Sequence, residues 1–277
     1  AAGRGVVVSS FGASVERMEL NWTNPSPDKG ADRSTAKAGP HPFLSDPAVR
    51  KALSISIDRD LLVEAGYGAA GRATCNILPA PELYASTNVD WCLKQDVEGA
   101  NKLLDDAGWA KGSDGIRAKD GVRLSILYQT STNSVRQATQ ALVKDMWQQI
   151  GVESELRNID AAVFFGGDPA SPDTFQKFYA DVEMYTNTFP GTDPERYMAG
   201  WTCAVIPSPE NGWLGSNMPR FCNAEYDALV NELAKTAELQ ARGEIAKKLN
   251  DILANEGALI ALIHRGDVSA HSKTIDG

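Results

Sequence analysis

The stretch VRLSILYQTSTNSVRQATQALVKDMWQQIGVESELRNI, residues 122–159, decides the fold class. Residues 122–129 are rich in alternating apolar and polar side chains, which predicts a strand. Gly151 ends the next segment, and residues 152–159 predict a second strand. Between them, residues 134–150 carry an apolar stripe typical of an amphipathic helix, formed by Val135, Ala138, Leu142, Met146 and Ile150. A strand, a helix and a strand in this order predict a parallel crossover unit.

Elements on both sides of this unit continue the α/β pattern. Asp46-Pro47 predicts a helix start, because a polar cap precedes proline at the first helical position, and Asp96 predicts another start. The remaining predicted elements are extended segments within 6–24, a strand at 181–186, helices at 224–235 and 238–255, and a closing strand at 258–265. Because no repeat or linker divides the chain, we predict one α/β domain with a mixed sheet flanked by helices.

The four cysteines form two local couples, Cys75 with Cys92 and Cys203 with Cys222. Each intervening stretch is rich in Pro, Asn and Ser, and needs a restraint other than regular secondary structure. A disulfide closing such a loop contributes roughly 3 kcal/mol. We therefore predict two disulfides and an oxidising compartment. A zinc site, which would want Cys-x2-Cys spacing, and four free thiols are the alternatives.

Charge and composition exclude several classes of protein. The chain has 27 basic and 36 acidic residues among 277, a net charge of −9, and 43% hydrophobic residues. An acidic surface repels phosphate backbones, so we expect no nucleic-acid partner. No apolar run approaches the roughly 18 residues of a membrane span, and we expect no signal peptide in the first residues of this sequence.

Enzymatic and metal-site motifs are missing from the sequence. It has no Gly-x-Ser-x-Gly, His-Glu-x-x-His, P-loop or Rossmann fingerprint. The three histidines, His41, His264 and His271, are too scattered in the sequence to indicate a metal cluster. We therefore predict no catalytic residues, no metal and no cofactor.

Six segments in colinear order resemble the family 5 extracellular solute-binding proteins, the peptide, dipeptide and nickel receptors of ABC importers. The resemblance runs from about residue 17 to residue 277, and no single segment decides it. The segments are LSDPAVRKAL (44–53) with IDR (57–59), DVEGANKLLDDAGW (96–109), WQQIGV (147–152), Asp193-Pro194, and NAEYD (223–227).

The resemblance implies a periplasmic-binding-protein-like lobe (type II, cluster C). Family members are typically longer, with two lobes that are joined by two crossing strands and close on a ligand. We therefore expect residues 17–277 to be a single C-terminal lobe after an extended segment, 1–16, with crossing strands near 17–24 and 260–272. The implied partners are a peptide or similar small solute, the N-terminal lobe of the same receptor, and a membrane ABC permease. The implied location is periplasmic or extracellular, with a lipid anchor in the absent N-terminal part as an open possibility.

The strand at 181–186 and its exit loop carry the first candidate ligand contacts: Tyr185, Thr186, Asn187, Thr188 and Phe189. Strand alternation puts Val182, Met184 and Thr186 on the face expected to pack against helices. The resemblance implies that Pro190 stands where oligopeptide-binding members have an Asp that pairs with the peptide amine. Asn187 likewise stands where they have a cleft Trp, so recognition of a peptide amino terminus does not carry over. Tyr185 and Phe189 as ordinary core or rim aromatics are the alternative.

Four further candidates depend on position. Trp213 lies beside glycines in the second cysteine loop, where it would stack on a ligand or pack under the loop. Asn21 and Trp22 on the first crossing strand, and Arg265 on the returning strand, are candidates by analogy with the family.

The function we predict is non-catalytic solute binding, with a ligand that the sequence does not identify. Two alternatives stay open: an extracytoplasmic hydrolase on a mixed α/β fold, and a sensor lobe that signals without transport.

Overall fold

A computed structural model describes residues 5–275, so the parts of the predicted 1–16 and 17–277 units at 1–4 and 276–277 lie outside the described residues. The strands are β1 (Gly5–Leu20), β2 (Gly71–Ala73), β3 (Ala110–Lys111), β4 (Arg117–Lys119), β5 (Val122–Arg123), β6 (Ser125–Ser131), β7 (Glu153–Ile159), β8 (Val182–Thr188) and β9 (Leu259–Ser272). The helices are α1 (Pro47–Ile55), α2 (Arg59–Gly66), α3 (Val97–Asp106), α4 (Ser134–Gln149), α5 (Ala161–Phe164), α6 (Glu195–Met198), α7 (Ala224–Leu233) and α8 (Leu239–Asn255).

The main sheet is mixed, as predicted, with strand order β2-β9-β1-β8-β6-β7. Strand β6 pairs in parallel with both β7 and β8, which confirms the predicted crossover unit. Strand β1 pairs antiparallel with β8 on one side and with β9 on the other. Strands β3, β4 and β5 form a separate small sheet.

Helices cover both faces of the main sheet. On one face, Met184 of β8 packs with Trp147 of α4 and Leu53 of α1 in the larger core. On the other face, Tyr185 packs with Phe164 of α5, and Val15 of β1 packs with Leu249 of α8. Both faces of β8 are therefore buried, and the face of Val182, Met184 and Thr186 packs against helices as expected.

Side-chain caps start the helices where the sequence predicted them. The Asp46 carboxylate accepts a hydrogen bond from the Ala48 amide at 2.9 Å, and the Asp96 carboxylate accepts one from the Gly99 amide at 2.7 Å. These bonds satisfy amides that have no partner within the helix, which fixes the first turn of α1 and of α3.

Two predicted strands differ from the structure. The segment 122–129 changes sheets at Leu124: β5 pairs with β4, whereas β6 pairs with β7 and β8. Alternation is the same in both sheets, so the sequence pattern does not show the change of partner. The closing strand extends to Ser272 rather than Arg265, because β1 pairs with it as far as Gly5.

Both predicted disulfides are present, Cys75–Cys92 and Cys203–Cys222. The first lies in a buried cluster with Val89 and Ala254. The second closes the loop that leads into α7. Among the described residues, none of the helices is long and apolar enough to cross a membrane.

Candidate functional site

The carboxyl ends of the parallel strands β6, β7 and β8 meet at one edge of the sheet. In open α/β sheets, ligands bind outside this edge, where successive connections leave toward opposite faces. Here the chain leaves β6 into α4 on one face, and leaves β7 into α5 on the other. Ser14 of β1 pairs with both Thr188 and Arg265, so β1 and β9 extend the same edge. We call it the carboxyl-end edge, and it is the candidate binding site.

A groove of about 560 Å³ opens at this edge, beside the end of β8. Its aromatic residues, Tyr197 and Trp201, are almost fully buried and form its floor. Polar side chains stand at its rim. The residues that line it are Asn187, Thr188, Pro190, Arg196, Tyr197, Gly200, Trp201 and Ser216. An aromatic floor with a few polar groups is typical of a small-molecule site.

The second disulfide loop supplies one side of this groove. The backbone amide of Ser216 donates to the carbonyl of Val205 at 2.9 Å, and its hydroxyl donates to the carbonyl of Gly200 at 3.1 Å. The Cys203–Cys222 bridge closes the loop that contains Ser216. The disulfide therefore limits how far this wall of the groove can move.

A buried carboxylate organises the α4 side of the carboxyl-end edge. Glu16 is 1% exposed and accepts hydrogen bonds from Arg136 Nε at 2.7 Å, from Tyr67 at 3.3 Å, and from the hydroxyl of Thr186. Thr186 also accepts hydrogen bonds from Arg136 and Arg265. Burial, reinforced by the Glu16 charge, raises the pKa of Tyr67, so this phenol stays protonated. The network holds Thr186 and positions Arg265, whose side chain is 38% exposed.

A second buried network supports the groove floor from behind. Arg17 donates to Glu19 from Nε at 2.9 Å and from Nη2 at 2.8 Å, and it donates to the hydroxyl of Tyr197 at 3.2 Å. Its guanidinium also lies 5.1 Å from the ring centre of Trp201. Burial opposes the charge on Arg17, but the Glu19 carboxylate together with Tyr197 and Tyr185 outweighs it and raises the pKa of Arg17. Both floor aromatics are thus held by a charged, hydrogen-bonded residue.

Four of the predicted ligand residues lie at the carboxyl-end edge: Thr186, Asn187, Thr188 and Arg265. Asn187 and Thr188 line the groove. Tyr185 and Phe189 are in the same strand and loop but are only 6% and 4% exposed. Tyr185 packs against Phe164 and Phe175, and Phe189 against Tyr197. These two aromatics support the site from beneath.

Three predicted residues lie away from this groove: Asn21 and Trp22, which were expected beside the cleft, and Trp213, which was expected to stack on a ligand or to pack under its loop. Leu20 pairs with Val182 at the start of β8, whereas Val15 pairs with Asn187 at its end. A strand rises about 3.3 Å per residue, so Asn21 lies about 20 Å along the sheet from the groove end. Asn21 is buried and donates to the carbonyls of Phe178 and Ala180.

Trp22 and Trp213 also pack at the far end of the sheet. Trp22 contacts Phe221, with the Arg50 guanidinium 4.1 Å from its ring centre. Trp213 is 7% exposed and packs against Tyr179, just before β8 begins. Antiparallel pairing is the physical reason for Trp22, because it puts the end of β1 beside the start of β8.

Sequence reasoning missed Glu16, Arg17, Arg196, Tyr197 and Trp201. Charged residues inside a strand are usually solvent-exposed, so the pattern of β1 did not indicate two buried ion pairs. Arg196, Tyr197 and Trp201 follow Asp193-Pro194, a segment that the family resemblance singled out, and this proximity was the available signal. Within residues 5–275, no three His, Cys, Asp or Glu side chains converge as a metal ion would require.

Comparison with known proteins gives the family. The sequence profile of "Bacterial extracellular solute-binding proteins, family 5 Middle" matches residues 4–208. The chain is 25% identical over 233 residues to heme-binding protein A of Haemophilus influenzae, covering 83% of this chain and 38% of that protein. It is 24% identical over 238 residues to the glutathione-binding protein GsiB of Salmonella paratyphi A, covering 85% and 42%.

Solved structures agree in fold. The oligopeptide-binding protein of Thermus thermophilus, complexed with a pentapeptide, has a TM-score of 0.78 at 23% identity and covers 99% of this chain but 45% of its own. The oligopeptide-binding protein AppA of Bacillus subtilis, in complex with a nonapeptide, has a TM-score of 0.75 at 18% identity, with 99% and 49% covered. The chain thus spans less than half the length of these relatives. Because the profile covers most of the chain, this protein belongs to family 5 of the bacterial extracellular solute-binding proteins.

Proposed function

We propose that this chain is the C-terminal, ligand-gripping lobe of an ABC importer's receptor, and that it binds a peptide or similar small solute without catalysis. Its relatives are solute-binding proteins. The groove at the carboxyl-end edge is open on one side, so an opposing surface is needed to enclose a solute. An N-terminal lobe of the same receptor would supply that surface and close by a hinge motion that the ligand stabilises.

The observation that carries this proposal is a two-stranded ribbon formed by residues 5–11 of β1 and 266–272 of β9. Its valines are exposed: Val6 42%, Val7 57%, Val8 44% and Val268 57%. Neighbouring residues of a strand point to opposite faces, so the ribbon is uncovered on both faces. Exposed apolar surface of this kind marks a contact with another surface, here the N-terminal lobe.

The ribbon also locates the crossing between lobes. Residues 15–20 of β1 and 259–264 of β9 are buried in the sheet, whereas residues 6–10 and 267–272 are exposed. We therefore propose that the chain crosses between the lobes at the exposed ribbon, and that the residues from the buried part of β1 to the buried part of β9 form one lobe. The segment 17–24, expected as the first crossing, lies inside the lobe in this proposal.

The proposal includes a location and a second partner. Family 5 proteins are extracellular, and two disulfides agree with an oxidising compartment. The closed receptor would dock on a membrane ABC permease. A lipid anchor on the N-terminal lobe is a finer form of this proposal, and partition of the receptor into the detergent phase of a phase-separation assay tests it.

A thermal-shift screen of the two-lobed receptor against peptides, sugars and metal chelates tests the function. A true ligand at one hundred times its Kd should stabilise the receptor by about 2.7 kcal/mol. The 277-residue chain alone should be stabilised far less by the same solute, because it presents one side of the site. Tight binding by this chain alone would contradict the two-lobe proposal, and conversion of a solute to products would favour the hydrolase alternative.

A further inference from the structure

The groove contains one charged side chain among the residues that line it, and that side chain is a cation. Arg196 is exposed and has no ion pair or hydrogen bond with any residue in the described range 5–275. The other lining residues are neutral. The chain has a net charge of −9, so an unpaired guanidinium in a groove differs in charge from most of the protein.

The acidic side chains that precede Arg196 in the sequence, Asp193 and Glu195, pair with another arginine, Arg242. Arg242 donates to Asp193 at 2.6 Å and 2.5 Å, and its Nη2 lies 3.7 Å from the carboxylate of Glu195. The buried Arg17 behind the floor is likewise paired with Glu19. The carboxylates of Asp193 and Glu195 are therefore directed at Arg242. The Arg196 guanidinium has no salt-bridge partner among the described residues.

The rim of the groove also offers a ligand hydrogen-bond donors from Asn187 and a hydrogen-bond acceptor from Ser216. Asn187 Oδ1 accepts from the Thr188 amide at 2.8 Å, which leaves both N–H groups of the Asn187 side chain free to donate. The Ser216 hydroxyl proton is used by the carbonyl of Gly200, so its lone pairs can accept from a ligand. A ligand that satisfies this rim carries an anionic oxygen and an N–H or O–H group.

We propose that the groove recognises a carboxylate-bearing solute, whose anionic oxygens bind Arg196 and the Asn187 amide while its body rests on Tyr197 and Trp201. This inference rests on the proposed function and specifies its ligand class. Guanidinium and carboxylate pair through two parallel hydrogen bonds, so Arg196 suits this group better than a neutral or cationic one. The carboxylate can belong to a peptide or to a sugar acid.

Two matched pairs of probes distinguish these sources in the two-lobed receptor by titration calorimetry. N-acetyl-trialanine has a carboxylate and no amine, and trialanine amide has an amine and no carboxylate. Glucuronate and glucose differ in the carboxylate alone. We expect the anionic member of at least one pair to bind more tightly than its counterpart, with an affinity that falls as salt is raised.

Variants then assign the effect to the groove. Arg196→Gln should weaken binding of that anionic probe about 10- to 100-fold, the range for a hydrogen bond to a charged group. Arg196→Lys should lose less, because it keeps the charge but not the two-pronged geometry. Lys248→Gln, which removes an exposed cation from α8, is the matched control and should bind like the wild type. Equal thermal unfolding midpoints would show that all variants fold.

Three outcomes overturn the inference: tighter binding of trialanine amide or glucose, unchanged binding by Arg196→Gln, or no binding of any of the four probes. The proposed function survives each of these if another solute in the wider screen stabilises the receptor. The proposed function itself would be contradicted if no solute in the wider screen stabilises the receptor.

Discussion

Glu19 on β1 and Glu183 on β8 occupy directly opposed positions across an antiparallel pair, and both side chains are fully buried. Their surroundings differ. Glu19 accepts hydrogen bonds from Arg17 and from the Tyr185 hydroxyl at 2.9 Å, whereas Glu183 accepts one from Gln129 at 3.1 Å. Burial, reinforced by the Glu19 charge, raises the pKa of Glu183 well above its usual range. The environment of this pair therefore favours the protonated form of Glu183 over a second buried charge.

This arrangement predicts a loss of stability at high pH. The pKa of Glu183 is higher in the folded than in the unfolded protein, so its protonation favours folding below the unfolded value and the benefit is lost as pH rises through the folded value. Glu183→Gln mimics the protonated acid. We expect the difference in unfolding temperature between this variant and the wild type to shift in favour of the variant as the pH rises from acidic to alkaline.

Glu153→Gln is the matched control for the same scan. Glu153 is exposed, and its hydrogen bond from Arg123 lowers its pKa. Replacing the Glu153 carboxylate should not raise the unfolding temperature relative to the wild type at alkaline pH. A constant difference between Glu183→Gln and wild type across the pH range would show that Glu183 is ionised in the folded protein.

Substitutions of Arg17 and Glu19 should have strongly non-additive effects on the free energy of unfolding. Arg17→Met leaves the Glu19 carboxylate buried without its cation, which should cost about 3–5 kcal/mol of unfolding free energy. The double variant Arg17→Met/Glu19→Met should recover part of this loss, because it removes the uncompensated charge. Denaturant unfolding of the wild type, both single variants and the double variant measures the coupling energy.

An exposed ion pair provides the comparison. Arg123→Met removes the partner of Asp114 and Glu153, and we expect a cost within about 1 kcal/mol. Additive effects of the Arg17 and Glu19 substitutions on the unfolding free energy would contradict a stabilising interaction between the two side chains.

The two disulfides should differ in their accessibility to reductants. Cys75 and Cys92 are each 2% exposed, whereas Cys222 is exposed at the surface. Thiolate attack needs access to a sulfur atom. Under native conditions we expect a small dithiol to reduce Cys203–Cys222 first, and Cys75–Cys92 only as the protein unfolds. Alkylation followed by mass spectrometry gives the order, and equal rates would contradict it.

The sequence predicted the fold better than the site, for reasons that particular residues make clear. Periodicity and capping depend on neighbours in sequence, so α1 at Asp46 and α4 before Gly151 were predicted correctly. The position of a residue along the sheet depends on which strand lies beside it. Asn21 and Asn187 were both expected near the ligand, and antiparallel pairing of β1 with β8 separates them.

Burial of charge was equally beyond local patterns. Glu16 and Arg17 are adjacent, so they point to opposite faces of the sheet. Each nevertheless finds an oppositely charged partner, Arg136 for Glu16 and Glu19 for Arg17. Arg136 is distant in sequence, and no periodic signal links it to β1. The ion-pair networks that support the groove and the carboxyl-end edge therefore could not be predicted from the sequence.

The ribbon of residues 5–11 and 266–272 should exchange its amide protons quickly in this chain alone. Its residues have few buried contacts, so local opening there requires little free energy, whereas residues 15–20 and 259–264 lie in the buried sheet. If an N-terminal lobe covers the ribbon, the same amides should exchange much more slowly in the two-lobed receptor. Hydrogen exchange with mass spectrometry on both proteins measures this difference peptide by peptide. The hairpin of β4 and β5 (residues 117–123) lies in the separate small sheet and is an internal control, because we expect its exchange to be the same in both proteins. Equal protection of the ribbon with and without the N-terminal lobe would rule out this crossing point between the lobes.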